Sequence, residues 1–434
     1  MKPNEQHGEL SRLSRERIVD AAFRAWGRTH FSNTSLNLVA RELSVTKPAV
    51  YRYFKGKEEL LEALRLDYAD RLDCELVAPL EEGEPDFLQD VPGAASLERA
   101  AAAYVEAVYT FFERNPFHYA FFVRYLLGHP FERRPEFRDT VRRHDELLLR
   151  HLSSPLVMRY TSSTAAFWTT EHYRRDASTG RPVIGTAFEP AESMQDRTGR
   201  ERTIQTITQR LVQGFLPQDH HPVDLELVER IAWLTPEEMP LPDRVFSAIE
   251  DVVQEQGYAA ATVERIAERV GITKSSLYHY FRNRDEMLMQ VVLRDQQHFA
   301  SLARIRLQQI EHPEQQLYAF FLMIASYAVQ HPVFMIVENW IRENDVSVEL
   351  PREHVEQMQA IFEFLTDMVM TGRLAADPGE AFSVIGFIRF LIMQELSLLK
   401  KPIGRDDCVS LVRTLFTLFS RGLVGTEVLE GAEV

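Results

Sequence analysis

The strongest constraint on the fold of this 434-residue chain is an internal repeat. Residues 46–60 read TKPAVYRYFKGKEEL, and residues 273–287, which lie 227 positions later, read TKSSLYHYFRNRDEM. The correspondence runs without a gap over the longer stretches 17–61 and 244–288. Because a sequence repeat reflects a repeated structural unit, the chain is expected to contain one kind of unit twice.

Length and weaker repeats indicate that each copy is a complete domain-sized unit. One hydrophobic core stops growing at about 250–300 residues, so two cores are expected. Two weaker repeats follow the main one: Pro116 corresponds to Pro332, and RLVQGF (210–215) corresponds to LFSRGL (418–423). The composition, 45% hydrophobic and 26% charged, is that of a globular protein.

The repeated stretch has the pattern of a helix-turn-helix. In the first copy, apolar residues recur at helical spacing from Leu36 to Leu43. Ser35, which directly precedes them, is a good N-cap residue. A turn of about three residues follows, and a second helix is predicted from Lys47 to Phe54. Two short helices joined by such a turn form this motif.

The second helix of each copy is predicted to have one inward and one outward face. Val50 and Phe54, and in the second copy Leu277 and Phe281, share a face at the i, i+4 spacing and should pack inward. The opposite faces carry an aromatic hydroxyl beside cationic groups: Pro48, Tyr51, Arg52 and Lys55, and then Ser275, Tyr278, His279 and Arg282. Such side chains suit contacts with phosphates and base edges of DNA.

Positive charge is concentrated in the two helix-turn-helix stretches. The whole chain is acidic, with a net charge of -15, but residues 36–57 sum to +4 and residues 263–284 to +3. Two basic islands in an acidic chain favour local binding of a nucleic-acid backbone. The predicted DNA-binding residues are Ser35, Thr46, Lys47, Pro48, Tyr51, Arg52, Tyr53, Lys55, Lys57, Thr262, Thr273, Lys274, Ser275, Ser276, Tyr278, His279, Tyr280, Arg282 and Arg284.

Both stretches, 17–61 and 244–288, resemble the N-terminal domain of TetR-type transcriptional regulators. The first matches at Ile18, Ala21, Trp26, Phe31, Val45-Thr46-Lys47, Tyr51, Tyr53-Phe54, Lys57 and Leu60, and the second at Ile266-Ala267, Gly271-Ile272-Thr273-Lys274, Leu277-Tyr278, Tyr280-Phe281 and Arg284. The first copy has Ser44 where the second has Gly271.

The resemblance implies an all-α fold made of two tandem TetR-like units. Each would have a three-helix head and a larger helical domain that binds an effector and dimerises through its last two helices, near Ala381–Leu399 and Asp406–Leu423 in the second copy. The expected domains are a tail (1–14), head one (15–62), a helical domain (63–215) with an irregular Thr-rich insertion at about 167–200, a connector (216–240), head two (241–289), a second helical domain (290–425) and a tail (426–434).

Such a protein is expected to be a DNA-binding regulator, a repressor, with operator DNA and a small apolar effector as partners. Aromatic residues that could line the effector pocket are Phe112, Phe121, Tyr125, Phe321, Tyr327 and Trp340, although core packing explains such residues more often. One chain could act as its own pseudo-dimer or form a homodimer with four heads. The alternative is a tandem helical scaffold for protein interaction that has lost specific DNA binding.

The sequence gives little support for an enzyme, a metal-binding protein or a membrane protein. The motifs HExxH, GxGxxG, GxxxxGK[ST] and GxSxG are absent, so no enzyme, cofactor or metal site is predicted. The first residues include no apolar segment, which predicts a cytoplasmic protein. The uncharged stretch Leu317–Val337 is long enough for a bilayer, but Gln330-His331-Pro332 interrupts it, and a buried helix pair is expected instead.

Overall fold

The computed structural model describes residues 13–28, 35–82, 94–121, 135–149, 152, 154–174, 197–216, 225–240, 244–256, 262–279, 281–282, 284–332, 362–399 and 403–426. Within these ranges every regular element is a helix, which confirms the all-α prediction. The chain divides into two compact units, the first ending at Val212 and the second beginning at Gln213. The finer domain boundaries given above stay a prediction.

The first unit begins with its head and continues into longer helices. Its helices are α1 (Arg15–Arg28), α2 (Leu36–Glu42), α3 (Lys47–Tyr51), α4 (Lys57–Leu72), α5 (Ala94–Arg114), α6 (His118–Phe121), α7 (Pro135–Leu149), α8 (Pro155–Arg174) and α9 (Arg197–Gln213). Helix α4 extends through a π-helical turn, Asp73–Val77, into Ala78–Glu82.

The prediction of an irregular insertion at about 167–200 is wrong at both of its ends, which are helical. Helix α8 continues to Arg174, and α9 begins at Arg197. The β-branched threonines are accommodated because their hydroxyls donate to carbonyls one turn earlier, from Thr164 to Tyr160 and from Thr170 to Ala166, both at 2.7 Å. The rest of the insertion lies outside the described residues.

Head one is joined to its helical domain by stacked rings. Phe23 of α1 lies face to face with His118 of α6, with ring centroids 3.9 Å apart, and edge-on to Phe121 at 5.4 Å. His118 is buried, and burial lowers the pKa of its imidazole, although the neighbouring Asp67 carboxylate acts in the opposite direction. An uncharged imidazole therefore completes an aromatic junction between head and body.

The second unit repeats this order after a connecting helix. Its helices are α10 (Leu225–Ala232), α11 (Arg244–Gln256), α12 (Val263–Val270), α13 (Lys274–Leu277), α14 (Arg284–Leu307), α15 (Pro313–Gln330), α16 (Glu363–Met370), α17 (Ala381–Leu398) and α18 (Arg405–Arg421).

The residues directly after α9 are built into the second unit. Gly214 adopts a φ of 78° and lies against the backbone of Ser420, where a Cβ atom would overlap the carbonyl group. Phe215 is fully buried and stacks on Phe419, with centroids 4.5 Å apart and planes at 6°. Its amide donates to the Phe419 carbonyl at 2.8 Å. Gly214 and Phe215, which end the predicted range 63–215, are therefore core elements of the second unit.

Helix α10 of the connector packs against α15. Glu229 is nearly buried and binds the Arg413 guanidinium through both carboxylate oxygens, at 2.6 and 2.8 Å. The Tyr318 hydroxyl donates to the same carboxylate at 2.7 Å. These three groups satisfy one another, so the acidic side chain is compensated where α10 meets the core.

Head two is joined to its helical domain by charged groups, and the Arg294 guanidinium also lies over the Phe246 ring of α11, 4.4 Å from its centroid. Glu250 of α11 occupies the position equivalent to Phe23 and forms an ion pair with Arg294 of α14. Arg294 also contacts Asp295, at 3.2 Å, and Asp295 is only 1% exposed. His331 Nε2 lies 3.2 Å from the other Asp295 oxygen. Glu250, Asp295 and His331 each offer an atom that could bind a metal ion, and these atoms lie within 4.8 Å of one another. Arg294 already compensates the charge of both carboxylates, so the cluster is an ionic junction.

The long apolar helices belong to the core of the second unit. Residues 317–328 of α15 are buried, which confirms a buried helix for the first part of the uncharged stretch; the part after Pro332 lies outside the described residues. Two other segments, Ala381–Leu398 and Arg405–Gly425, are long and apolar enough to cross a membrane by length and composition, with 61% and 56% of their residues buried.

Candidate nucleic-acid interface

Each head packs its predicted inward residues into a core. Val50 and Phe54 are fully buried among residues of α1, α2 and α4, and Leu277 and Phe281 are 1% and 8% exposed. The inward face predicted from the i, i+4 spacing is confirmed in both copies. The short helices α3 and α13 therefore turn their remaining face to solvent.

The turn between the two helices has the same backbone form in both heads despite different residues. Gly271 adopts a left-handed φ of 75°, and Ser44 adopts a φ of 55° at the equivalent position. The next amide bonds back to the matching carbonyl in each copy, Val45 to Ala40 at 2.9 Å and Ile272 to Ala267 at 3.0 Å. Glycine makes this conformation freely, whereas a residue with a Cβ is strained in it.

Replacing Ser44 with glycine is expected to stabilise the first unit by about 1 kcal/mol, because it removes left-handed strain from the turn. Urea denaturation of the full chain measures this change. The reciprocal variant, Gly271→Ser, should destabilise the second unit by a similar amount. A loss of stability in Ser44→Gly would show that the serine hydroxyl supports the turn.

The outward face is exposed as predicted. In head one the exposed members are Ser35, Thr46, Lys47, Pro48, Tyr51, Arg52 and Lys55, and in head two they are Thr273, Lys274, Ser275, Tyr278, His279 and Arg282. Thr262 and Ser276 are half-buried. Tyr280 and the side chain of Arg284 lie outside the described residues. That these residues contact DNA stays a prediction.

A lysine and a tyrosine form the centre of each outward face. Lys47 Nζ lies 5.3 Å from the ring centroid of Tyr51, and Lys274 Nζ lies 5.7 Å from that of Tyr278. The rings are 40% and 45% exposed, which is unusual for so large a side chain. Both heads thus present an ammonium group above the face of an exposed tyrosine ring.

A glutamate repeated at the same position in both heads holds the loop that follows. The backbone amide of Lys55 donates to Glu59 at 2.8 Å, and the amide of Arg282 donates to Glu286 at 2.5 Å. Their presence at the same place in both copies was the signal for this role. They fix the position from which the Lys55 and Arg282 side chains extend.

Other predicted contact residues have interactions inside head one. The Tyr53 hydroxyl donates to the Leu13 carbonyl at 2.6 Å, so it ties down the start of the head. Lys57 is half-buried, and burial lowers the pKa of its ammonium group. Among the described residues neither Ser35 nor Thr46 makes a side-chain capping bond, unlike Thr262 and Thr273, which accept from backbone amides.

The candidate effector residues that the structure describes are packed in cores. Phe112 lies edge-on to Phe111, and Phe121 belongs to the aromatic junction of head one. Phe321 packs against Phe416 and Phe419, and Tyr327 against Phe299 at 5.4 Å. Tyr125 and Trp340 lie outside the described residues. Their role in an effector pocket stays a prediction.

The family "Bacterial regulatory proteins, tetR family" matches the chain at two places, residues 18–64 and 245–291. The chain therefore carries the DNA-binding domain of the TetR family twice. The two matches coincide with the two heads, and they confirm the resemblance drawn from the repeated sequence. Its curated relatives are HTH-type transcriptional regulators, and the chain is a DNA-binding transcriptional regulator.

Relatives of this protein match only part of it. The HTH-type transcriptional regulator UidR of Escherichia coli (strain K12) is 23% identical over 155 residues, which are 34% of this chain and 76% of UidR. The HTH-type transcriptional regulator SrpR of Pseudomonas putida is 32% identical over 97 residues, 22% of this chain and 40% of SrpR. The fatty acid degradation regulator FadR of Bacillus halodurans, a solved structure, has 19% identity and a TM-score of 0.33, and the match covers 43% of this chain and 95% of FadR.

Proposed function

We propose that the chain is a repressor in the cytoplasm that binds one operator with both of its heads and is released by a small apolar effector. The observation that carries the proposal is the exposed lysine–tyrosine pair, which each head presents on its outward face. A chain that had kept its heads only as a scaffold would have no need of this face in either copy.

The outward residues divide into two kinds of contact. Thr46, Lys47, Tyr51 and Arg52 lie on or beside α3, the helix that would enter the major groove and meet base edges. Lys55, in the loop after α3, extends from a backbone held by Glu59 and would neutralise phosphates. Head two offers the same division, with Tyr278 and His279 beside α13 and Arg282 in the following loop.

Two heads in one chain are enough for one operator. Proteins of this class place two recognition helices one turn of DNA apart, roughly 34–36 Å, or a multiple of it. The heads differ in their outward residues, since Pro48 and Arg52 correspond to Ser275 and His279. An intrachain pseudo-dimer should therefore bind an imperfect palindrome. A perfectly symmetric footprint would instead favour a homodimer with four heads.

An effector can release DNA only if it binds the conformation that misfits the operator more tightly than the one that fits. The head junctions, which contain the pairs Phe23–His118 and Glu250–Arg294, supply a route from each helical domain to its DNA-reading helix. Release of the bound operator fragment on addition of a candidate ligand is the measurement that identifies the effector.

Replacing Tyr51 or Tyr278 with alanine should weaken specific DNA binding by about 1–3 kcal/mol, because each change removes a central contact of one head. Both rings are exposed, so the variants should stay folded. Tyr51→Phe and Tyr278→Phe are matched controls that separate the hydroxyl from the ring. Unchanged affinity in both alanine variants would reject the assignment of these residues.

A mobility-shift experiment on DNA from upstream of the protein's own gene tests the function as a whole. Retardation, followed by footprinting, gives the operator, its symmetry and the number of heads engaged. Absence of retardation with every such fragment at low salt would reject DNA binding and favour the scaffold.

A further inference from the structure

The two heads differ in one ion pair on the face that reads DNA. In head two the Lys274 ammonium group pairs with the Glu264 carboxylate, which is on the first turn of α12. Both side chains are about half exposed, so the pair lies at the surface that would meet DNA. The same bond raises the pKa of Lys274 and lowers that of Glu264, so both groups are charged at neutral pH.

Head one has the same lysine without the carboxylate. Asn37 occupies the position equivalent to Glu264, and it is exposed. Within the described residues no carboxylate pairs with Lys47, whose ammonium group lies over the Tyr51 ring. A neutral amide cannot compensate a cation, so the lysine of head one keeps its full charge for a partner from outside.

We propose that Glu264 makes head two the weaker and more selective of the two heads by holding Lys274 until a matching DNA site displaces it. The inference rests on the proposed function, since it needs both heads to bind DNA. A phosphate that approaches Lys274 must replace a carboxylate, whereas one that approaches Lys47 replaces only water and counterions. The gain from electrostatic contact with any DNA sequence is therefore smaller at head two.

The difference between the two heads can be measured as a change in the salt dependence of DNA binding. Each phosphate that a protein cation neutralises contributes about 0.9 to the slope of log affinity against log salt. If Glu264 cancels the contribution of Lys274, Glu264→Asn should steepen this slope by about 1. Over a fourfold change of salt that amounts to roughly a fourfold change in affinity. The gain should be largest on unrelated DNA, because base contacts add nothing there.

The reciprocal exchange supplies the matched control. Asn37→Glu places a carboxylate beside Lys47 and should flatten the slope by about 1, as head one then resembles head two. The chain with both changes should return close to the original slope. Both positions are exposed on the first turn of a helix, so unchanged helical content in circular dichroism is expected for all three variants.

The experiment measures binding of the full chain to an operator fragment and to an unrelated fragment of equal length, by fluorescence anisotropy over a series of salt concentrations. Steepening in Glu264→Asn and flattening in Asn37→Glu support the inference. An unchanged slope in Glu264→Asn overturns it. An equal effect of Glu264→Asn in a Lys274→Met background also overturns it, because the carboxylate would then act without the lysine.

The outcomes separate this inference from the proposed function. Wild-type protein that binds neither fragment at any salt concentration rejects DNA binding itself, and the inference with it. Wild-type protein that binds its operator while the Glu264 and Asn37 variants leave the slope unchanged rejects the inference alone.

Discussion

Replacing Arg294 with methionine is expected to lower the free energy of unfolding of the second unit by about 3–5 kcal/mol. Arg294 contacts both Glu250 and Asp295, and Asp295 is 1% exposed. Without the guanidinium, a buried carboxylate loses its charged partner, which costs far more than the pair itself contributes. Urea denaturation of the full chain, followed by circular dichroism, measures the change.

Arg269→Met, in head two, is the matched control. Arg269 also binds two carboxylates, Asp251 and Glu255, but both of them are more than half exposed. Water replaces the lost partner there, so a loss below about 1 kcal/mol is expected. If the two methionine variants lose the same stability, the junction of head two is not the buried ionic site described above.

Replacing Gly214 with alanine should destabilise the second unit by about 2–5 kcal/mol. The left-handed conformation costs a residue with a Cβ about 1–2 kcal/mol, and forcing the new methyl group against the Ser420 backbone adds about 1–3 kcal/mol of overpacking. Neighbouring backbone cannot rotate away as a side chain can, so Phe215 should be pulled from its stack on Phe419.

Gly372→Ala is the control, and the difference between the two variants gives the steric part of the loss. Gly372 has a similar φ of 70°, but no heavy atom lies within 4 Å of the position its Cβ would take. This control should therefore lose only the conformational cost of about 1–2 kcal/mol. Equal losses at both glycines would mean that the contact with Ser420 does not restrain the segment that follows α9.

Much of the fold followed from residue spacing. The i, i+4 spacing of Val50 and Phe54 predicted the inward face of α3, and the repeat in the second copy predicted the same packing for Leu277 and Phe281. These predictions were reliable because a short helix has only two faces, and apolar residues decide which one is buried. The weak repeat at 210–215 and 418–423 was equally informative, since its glycines, Gly214 and Gly422, both adopt a positive φ directly after a long helix.

Other features depend on contacts between residues far apart in sequence. Nothing near Tyr53 indicates that its hydroxyl bonds to Leu13, 40 positions earlier. The threonines of α8 favour extended structure locally, but tertiary burial and bonds to the preceding turn keep them helical. The pairing of Lys274 with Glu264 joins two helices across the turn, and it could be noticed only by comparing the two copies position by position.

The two junctions have a consequence for how this regulator can change over generations. In a symmetric homodimer one codon specifies the junction of both heads, so every mutation there is felt twice. In this chain Phe23 and Glu250 are encoded separately, and one has become an aromatic contact and the other an ionic one. Selection can therefore adjust the coupling of one head to its body while the other head stays as it is.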